Sequence, residues 1–123
     1  MAHKILIIED DRDYADYLQA LLDRDKRFET ELCYSGRVAV DVFNEFKPDL
    51  IITDVVLPCI DGYSLMKETA AKTSTPVIVI SASEASKTLF KGFETLVGFL
   101  LKPVNYDDLV DLVNRGLQHL FVE

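Results

Sequence analysis

The segment Lys4-Ile-Leu-Ile-Ile-Glu-Asp-Asp11 decides how this chain folds. Residues 4–8 form a short apolar run rich in β-branched side chains, which is typical of a strand buried on both faces. Apolar and aromatic residues then recur at the three-and-four spacing of an amphipathic helix, at Tyr14, Tyr17, Leu18, Leu21 and Leu22. A buried strand that leads directly into a helix is the repeating unit of an α/β domain.

The same alternation continues to the end of the chain. Four further strands are predicted at 28–34, 50–53, 76–80 and 98–101. Helices are predicted after each of them: one with Ala39, Val42, Phe43 and Phe46, one through Leu65 and Met66, one from about Glu84 to Thr95, and a last one bearing Leu109, Leu112, Val113, Leu117 and Leu120. Five strands alternating with five helices predict a doubly wound parallel sheet with right-handed crossovers, in one domain over 1–123. The second strand is the least apolar, which favours a sheet edge.

Composition excludes several classes of function. The chain has 123 residues, of which 49% are hydrophobic and 28% charged, as in a globular domain. The apolar runs are far too short for a transmembrane helix, and no secretory leader is evident, so we expect no membrane partner. A net charge of −8 disfavours direct binding to nucleic acid. Two cysteines, Cys33 and Cys59, fit a reduced, cytoplasmic setting better than a disulfide scaffold.

Charged and polar side chains follow four of the five predicted strands. Glu9 and Asp10 follow the first strand, Asp54 the third, Ser81 the fourth and Lys102 the fifth. Ligands of open parallel sheets bind beyond the carboxyl ends of the strands, where the strand order reverses. We therefore expect these side chains to converge on one site.

The carboxylates in this set predict a magnesium site. Glu9, Asp10 and Asp54 would repel one another if held together without a cation. Mg²⁺ prefers oxygen ligands and leaves positions open for water and phosphate oxygens. Its charge, with that of Lys102, would cancel the three carboxylates. Asp11 and Asp13 are better interpreted as acids of the first helical turn, where they cap or stabilise the helix N-terminus.

Over residues 4 to about 118, the sequence resembles the receiver domain of two-component response regulators. The matching motifs are Glu9-Asp10, Asp54 with the loop through Pro58 and Asp61-Gly62, Ser81-Ala82, the aromatic Phe99, and Lys102-Pro103. The resemblance implies a flavodoxin-like (βα)5 fold with strand order 2-1-3-4-5. The Lys102-Pro103 peptide bond could be cis or trans.

The resemblance also implies a function. Asp54 would accept a phosphoryl group from a histidine kinase or a histidine phosphotransfer protein. Mg²⁺ would be bound by Asp10, Asp54 and the backbone carbonyl of Val56, with Glu9 acting through a water. Such a domain is a signalling switch rather than an enzyme, since it catalyses only its own phosphoryl transfer and dephosphorylation.

Three residues carry the expected response to phosphorylation. Ser81 and Lys102 would move to meet the phosphoryl oxygens, and Phe99 would turn inward into the space that the Ser81 hydroxyl leaves. These movements would bias the surface formed by the fourth helix, the fifth strand and the fifth helix, where a downstream protein target would bind.

Rival functions are weaker. A phosphatase of the haloacid dehalogenase type needs a second Asp two residues after the first, and Val56 stands there. A flavodoxin-like cofactor site needs a loop that accepts phosphate after the first strand, whereas Glu9-Asp10-Asp11 is acidic. The remaining alternative is a receiver-fold interaction module that acts without phosphorylation, and the presence of Asp54, Ser81 and Lys102 argues against it.

Overall fold

The computed structural model describes residues 2–54, 68–83 and 94–121. It contains five strands: β1 (His3–Ile8), β2 (Phe28–Cys33), β3 (Leu50–Asp54), β4 (Val77–Ser81) and β5 (Leu96–Leu101). All of them pair in parallel, in the order β2-β1-β3-β4-β5. The predicted doubly wound α/β fold and its strand order are confirmed, as is the edge position of β2.

In the described ranges, three helices lie between strands and a fourth follows the last strand. They are α1 (Arg12–Leu22), α2 (Ala39–Phe46), α3, whose described part covers 68–73, and α4 (Tyr106–Leu117). Asp11 caps α1, since its side chain accepts a hydrogen bond from the backbone N–H of Tyr14, as the sequence predicts. Lys47 ends α2 in a left-handed conformation directly before Pro48. None of the helices in the described ranges is long and apolar enough to cross a membrane.

One predicted helix differs from the structure at its carboxyl end. The sequence predicts a helix from about Glu84 to Thr95, and residues 84–93 lie outside the described part of the chain. Glu94 and Thr95 are described and form a turn that leads into β5, so the predicted helix does not extend to Thr95. The reason is tertiary, because the Thr95 carbonyl accepts the backbone N–H of Val77 and thereby already belongs to the start of the β4–β5 pairing. The predicted helix positions Leu65 and Met66 also lie outside the described residues.

The core lies on both faces of the sheet, because successive strand residues point to opposite sides. Ile5 and Ile7 pack with α1 and α4, whereas Leu6 and Ile8 pack with α2. Both faces of β1, β3 and β4 are therefore covered, which explains why these strands read as continuous apolar runs. Tyr17 departs from the predicted core stripe of α1, since its side chain is 41% exposed.

Candidate functional site

The pairing of β1 with β3 brings two acidic side chains together. Ile8 lies opposite Thr53 in the parallel register, so the residues that come next, Glu9 and Asp54, are neighbours at the carboxyl edge of the sheet. Glu9 is held further by its backbone N–H, which donates to the carbonyl of Cys33 at 2.9 Å. Both carboxylates are buried, with exposures of 0% for Glu9 and 6% for Asp54.

The pairing of β4 with β5 brings the lysine to the same edge. Ser81 lies opposite Leu101, and the backbone N–H of the next residue, Lys102, donates to the Ser81 carbonyl at 2.8 Å. The Lys102-Pro103 peptide bond is cis. The Lys102 ammonium donates to Asp54 Oδ2 at 2.9 Å and to Glu9 Oε2 at 3.1 Å. The Lys102 ammonium thus bridges two buried carboxylates at this edge of the sheet.

The ionisation of Glu9 reflects this crowding. Burial, a hydrogen bond with Asp54 and the charge of Asp54 raise the pKa of Glu9 to about 7, although Lys102 opposes the increase. Burial by itself would lower the pKa of Lys102, but hydrogen bonds to Asp54 and Glu9 outweigh it and raise that pKa. Two buried carboxylates therefore share one lysine, and Glu9 is more easily protonated than an exposed glutamate.

The carboxylates fit a magnesium ion. Glu9, Asp10 and Asp54 each offer an oxygen, and these oxygens all lie within 4.8 Å of one another. Asp10 is exposed, whereas the other two are buried, so an ion bound here would keep an open side toward solvent. The donor set is entirely carboxylate oxygen, which suits a hard cation. The other predicted direct ligand, the backbone carbonyl of Val56, lies outside the described residues.

Ser81 and Phe99 occupy the strands predicted for them. Ser81 is 1% exposed at the end of β4, and its hydroxyl accepts the backbone N–H of Ser83 at 3.1 Å. Phe99 lies on β5, is half-buried, and packs against the core cluster on the α2 side of the sheet. The sequence therefore places both residues correctly along the chain, and their roles as switch residues stay predictions.

One residue at the site was missed by the sequence analysis. Tyr14, interpreted there only as part of the apolar stripe of α1, lies with its ring centroid 4.4 Å from the Lys102 ammonium. Burial raises the pKa of its phenol. One feature of the sequence could have indicated this role: the apolar stripe of the helix that follows Glu9-Asp10 carries a tyrosine at position 14 rather than an aliphatic residue.

Comparison with known proteins gives a consistent result. The sequence profile of the response regulator receiver domain matches residues 5–114. A putative response regulator from Chloroflexus aurantiacus is 31% identical, with a TM-score of 0.81 and coverage of 96% of this chain and 99% of that one. The receiver domain of Francisella response regulator 1452 is 28% identical, with a TM-score of 0.76 and coverage of 94% and 97%.

A longer relative matches as well. The probable transcriptional regulator ycf29 of Porphyra purpurea is 31% identical over 119 residues, which is 94% of this chain. This chain spans 56% of the length of that relative.

Proposed function

Because the chain belongs to the family of response regulator receiver domains, we propose that it is a phosphorylation-dependent switch whose phosphoacceptor is Asp54. Receiver domains serve phosphorylation-based signalling and are generally not classical enzymes. The observation that carries the proposal is the position of the Asp54 carboxylate, which is buried at the carboxyl edge with the Lys102 ammonium 2.9 Å away.

The chemistry needs a nucleophile and a way to balance charge. An oxygen of Asp54 attacks the phosphorus of a phosphohistidine on a histidine kinase or a histidine phosphotransfer protein. The phosphorus–nitrogen bond breaks, and its electron pair stays on the imidazole. The aspartyl phosphate carries about one more negative charge than the carboxylate did. Lys102 lies close enough to neutralise a phosphoryl oxygen, and the hydroxyl of Ser81 would donate to another.

Magnesium belongs to the proposal. Asp10 and Asp54 would hold it with the backbone carbonyl of Val56, and Glu9 would contribute through a water. The bound ion would offset the negative charge of the transferred phosphoryl group. The carboxylate set described above supports this assignment, because Glu9, Asp10 and Asp54 bring three acidic oxygens within 4.8 Å of one another, which suits a hard cation.

The output would follow from movement of the lysine and serine toward the phosphoryl group. Phe99 would turn inward and change the surface formed by the predicted fourth helix, β5 and α4, which is the fifth helix predicted from the sequence. A downstream protein target would then bind this surface differently. The partners are then proteins, with neither nucleic acid nor membrane bound directly, and the setting is the cytoplasm. Residues 1–123 would constitute a single receiver domain.

The alternative is an interaction module that works without phosphorylation, and one experiment separates the two. The protein is incubated with acetyl phosphate or phosphoramidate and Mg²⁺, then analysed by Phos-tag electrophoresis. We expect a retarded, base-labile species that Asp54→Asn abolishes. The control is Asp11→Asn, which alters the cap of α1 and should leave labelling intact. No retarded species with either donor, or equal labelling of Asp54→Asn, would overturn the proposal.

A further inference from the structure

Two phenols of α1 hold the backbone that follows Lys102. The hydroxyl of Tyr14 accepts the backbone N–H of Val104 at 2.8 Å, and the hydroxyl of Tyr17 donates to the Val104 carbonyl at 2.6 Å. Val104 is 3% exposed, so its peptide groups need such partners. The segment after β5 is therefore fastened to α1, two residues beyond the lysine.

Tyr14 also contacts the lysine itself. The Lys102 ammonium lies over the Tyr14 ring, 4.4 Å from its centroid, in the geometry of a cation–π interaction. The carboxylates of Glu9 and Asp54 contact the same ammonium at 3.1 Å and 2.9 Å. The cation is thus located by two carboxylates and an aromatic face together.

We propose that Tyr14 is a positioning residue that fixes the Lys102 ammonium for the phosphoryl group on Asp54. The inference rests on the proposed function. A lysine side chain has many rotamers, and a charge assists phosphoryl transfer most when it is held in place before the reaction. The Tyr14 ring restricts the ammonium, while its hydroxyl restricts the backbone from which Lys102 extends.

If Tyr14 served only to pack against its neighbours, its side chain would not need to be aromatic. An aliphatic side chain of similar reach would fill the space on α1 equally well, but it offers no electron-rich face to a cation. Tyr17 provides a matched comparison, because it shares the helix, the chemistry and the Val104 contact. The ring that lies 4.4 Å from the Lys102 ammonium, however, is that of Tyr14.

The test compares Tyr14→Leu, Tyr14→Phe and Tyr17→Leu with the parent protein. The first measurement is the NMR shift of the Lys102 ε-methylene protons without phosphodonor, which the Tyr14 ring current moves upfield. The second is the rate of labelling by acetyl phosphate with Mg²⁺. Tyr14→Leu should lose the upfield shift and label about 3- to 10-fold more slowly. Tyr14→Phe should keep the shift and most of the rate. Tyr17→Leu removes a hydrogen bond to Val104 but no ring beside the ammonium, so it should keep the shift and lose less of the rate than Tyr14→Leu.

Different results would overturn the contact, the positioning role and the proposed function. An unchanged Lys102 shift in Tyr14→Leu overturns the contact, and a lost shift with an unchanged labelling rate overturns the positioning role. An equal loss of rate in Tyr17→Leu would point to general damage to α1 and would also overturn it. If Tyr14→Leu does not fold, Tyr14→Met takes its place. A parent protein that is never labelled refutes the proposed function instead, and the shift still tests the contact.

Discussion

The two ends of the β-sheet are built from different chemistry. At the amino end, buried threonine hydroxyls are satisfied by neutral partners: Thr95 donates to the carbonyl of Thr75, whose own hydroxyl lies 2.6 Å from that of Thr73. At the carboxyl end, two buried carboxylates share one ammonium. The threonines and the two carboxylates are all buried, yet only the carboxyl end combines buried charges of like sign among the described residues.

This difference separates stability from function. A neutral hydroxyl that donates to a buried carbonyl stabilises the fold, because the loss of either partner leaves a polar group unsatisfied. Burial is the largest cause of the raised pKa of Glu9, and the neighbouring carboxylate of Asp54 raises that pKa further. The amino end therefore contributes to the free energy of folding, whereas the carboxyl end retains charges that a metal and a phosphoryl group would use.

The largest expected effect contrasts exposed aspartates at the two ends. Asp10→Ala should abolish measurable Mg²⁺ binding and labelling by acetyl phosphate together, because it removes one of the three clustered carboxylates. Asp49→Ala at the amino end, where the carboxylate accepts the backbone N–H of Lys4, should change neither. NMR titration with Mg²⁺ measures the binding. Undiminished labelling of the parent in EDTA, or of Asp10→Ala in Mg²⁺, would contradict the magnesium assignment.

A smaller effect concerns stability, which we expect to fall after substitution at the amino end but not at the carboxyl end. Thr95→Val should lower the free energy of unfolding by about 1–2 kcal/mol, because a buried carbonyl loses its donor. Thr95→Ser keeps the hydroxyl and serves as its control. Asp54→Asn should not destabilise the protein without Mg²⁺, since Lys102 keeps Glu9 as a partner and one repulsion disappears. Urea denaturation measures both, and a marked loss of stability in Asp54→Asn would erase the contrast.

The smallest effect is a pH dependence specific to Glu9. Its pKa rises on folding from 4.5 to about 7, so the folded state binds more protons between these values. Its contribution to stability is therefore present at low pH and is lost as the pH rises toward and through 7. Without Mg²⁺, the parent should lose more stability than Glu9→Gln between pH 5.5 and 8, by on the order of 1 kcal/mol.

The control for this pH effect is Glu29→Gln, an exposed glutamate of β2. It should retain the pH dependence of the parent, as urea denaturation midpoints at the two pH values would show. An identical pH dependence in Glu9→Gln and the parent would mean that Glu9 does not bind the additional proton.

Much of the fold could be predicted because its signals are local. The apolar run 4–8 and the acidic residues after it identify a buried strand and its end without any knowledge of the strands that pair with it. The helix predicted to reach Thr95 extends too far for the opposite reason, since pairing between distant strands fixes that residue at the start of β5. Exposure of Tyr17 likewise depends on what packs beside α1, which helical periodicity does not encode.

The candidate site shows the same division. Strand ends alone predict that Glu9, Asp10, Asp54 and Lys102 share one edge, and the structure brings them together. Their distances and the direction of each pKa shift depend on burial and on parallel register, which are tertiary properties. The contact between Tyr14 and Lys102 joins residues 88 positions apart in the numbering, so no local pattern announces it.

The α/β class, the positions of the strands along the chain and the chemical types at their carboxyl ends could all be predicted from local sequence patterns. These properties follow from hydrophobic periodicity and from the position of polar residues relative to it, which neighbouring residues define. The distance from Lys102 to each carboxylate, the full burial of Glu9 and the contact of the Tyr14 ring with the ammonium depend on the packing of distant segments. These distances and contacts arise only when segments distant in sequence pack together. The strength of an electrostatic interaction depends on the separation of the two charges and on how much solvent is excluded between them.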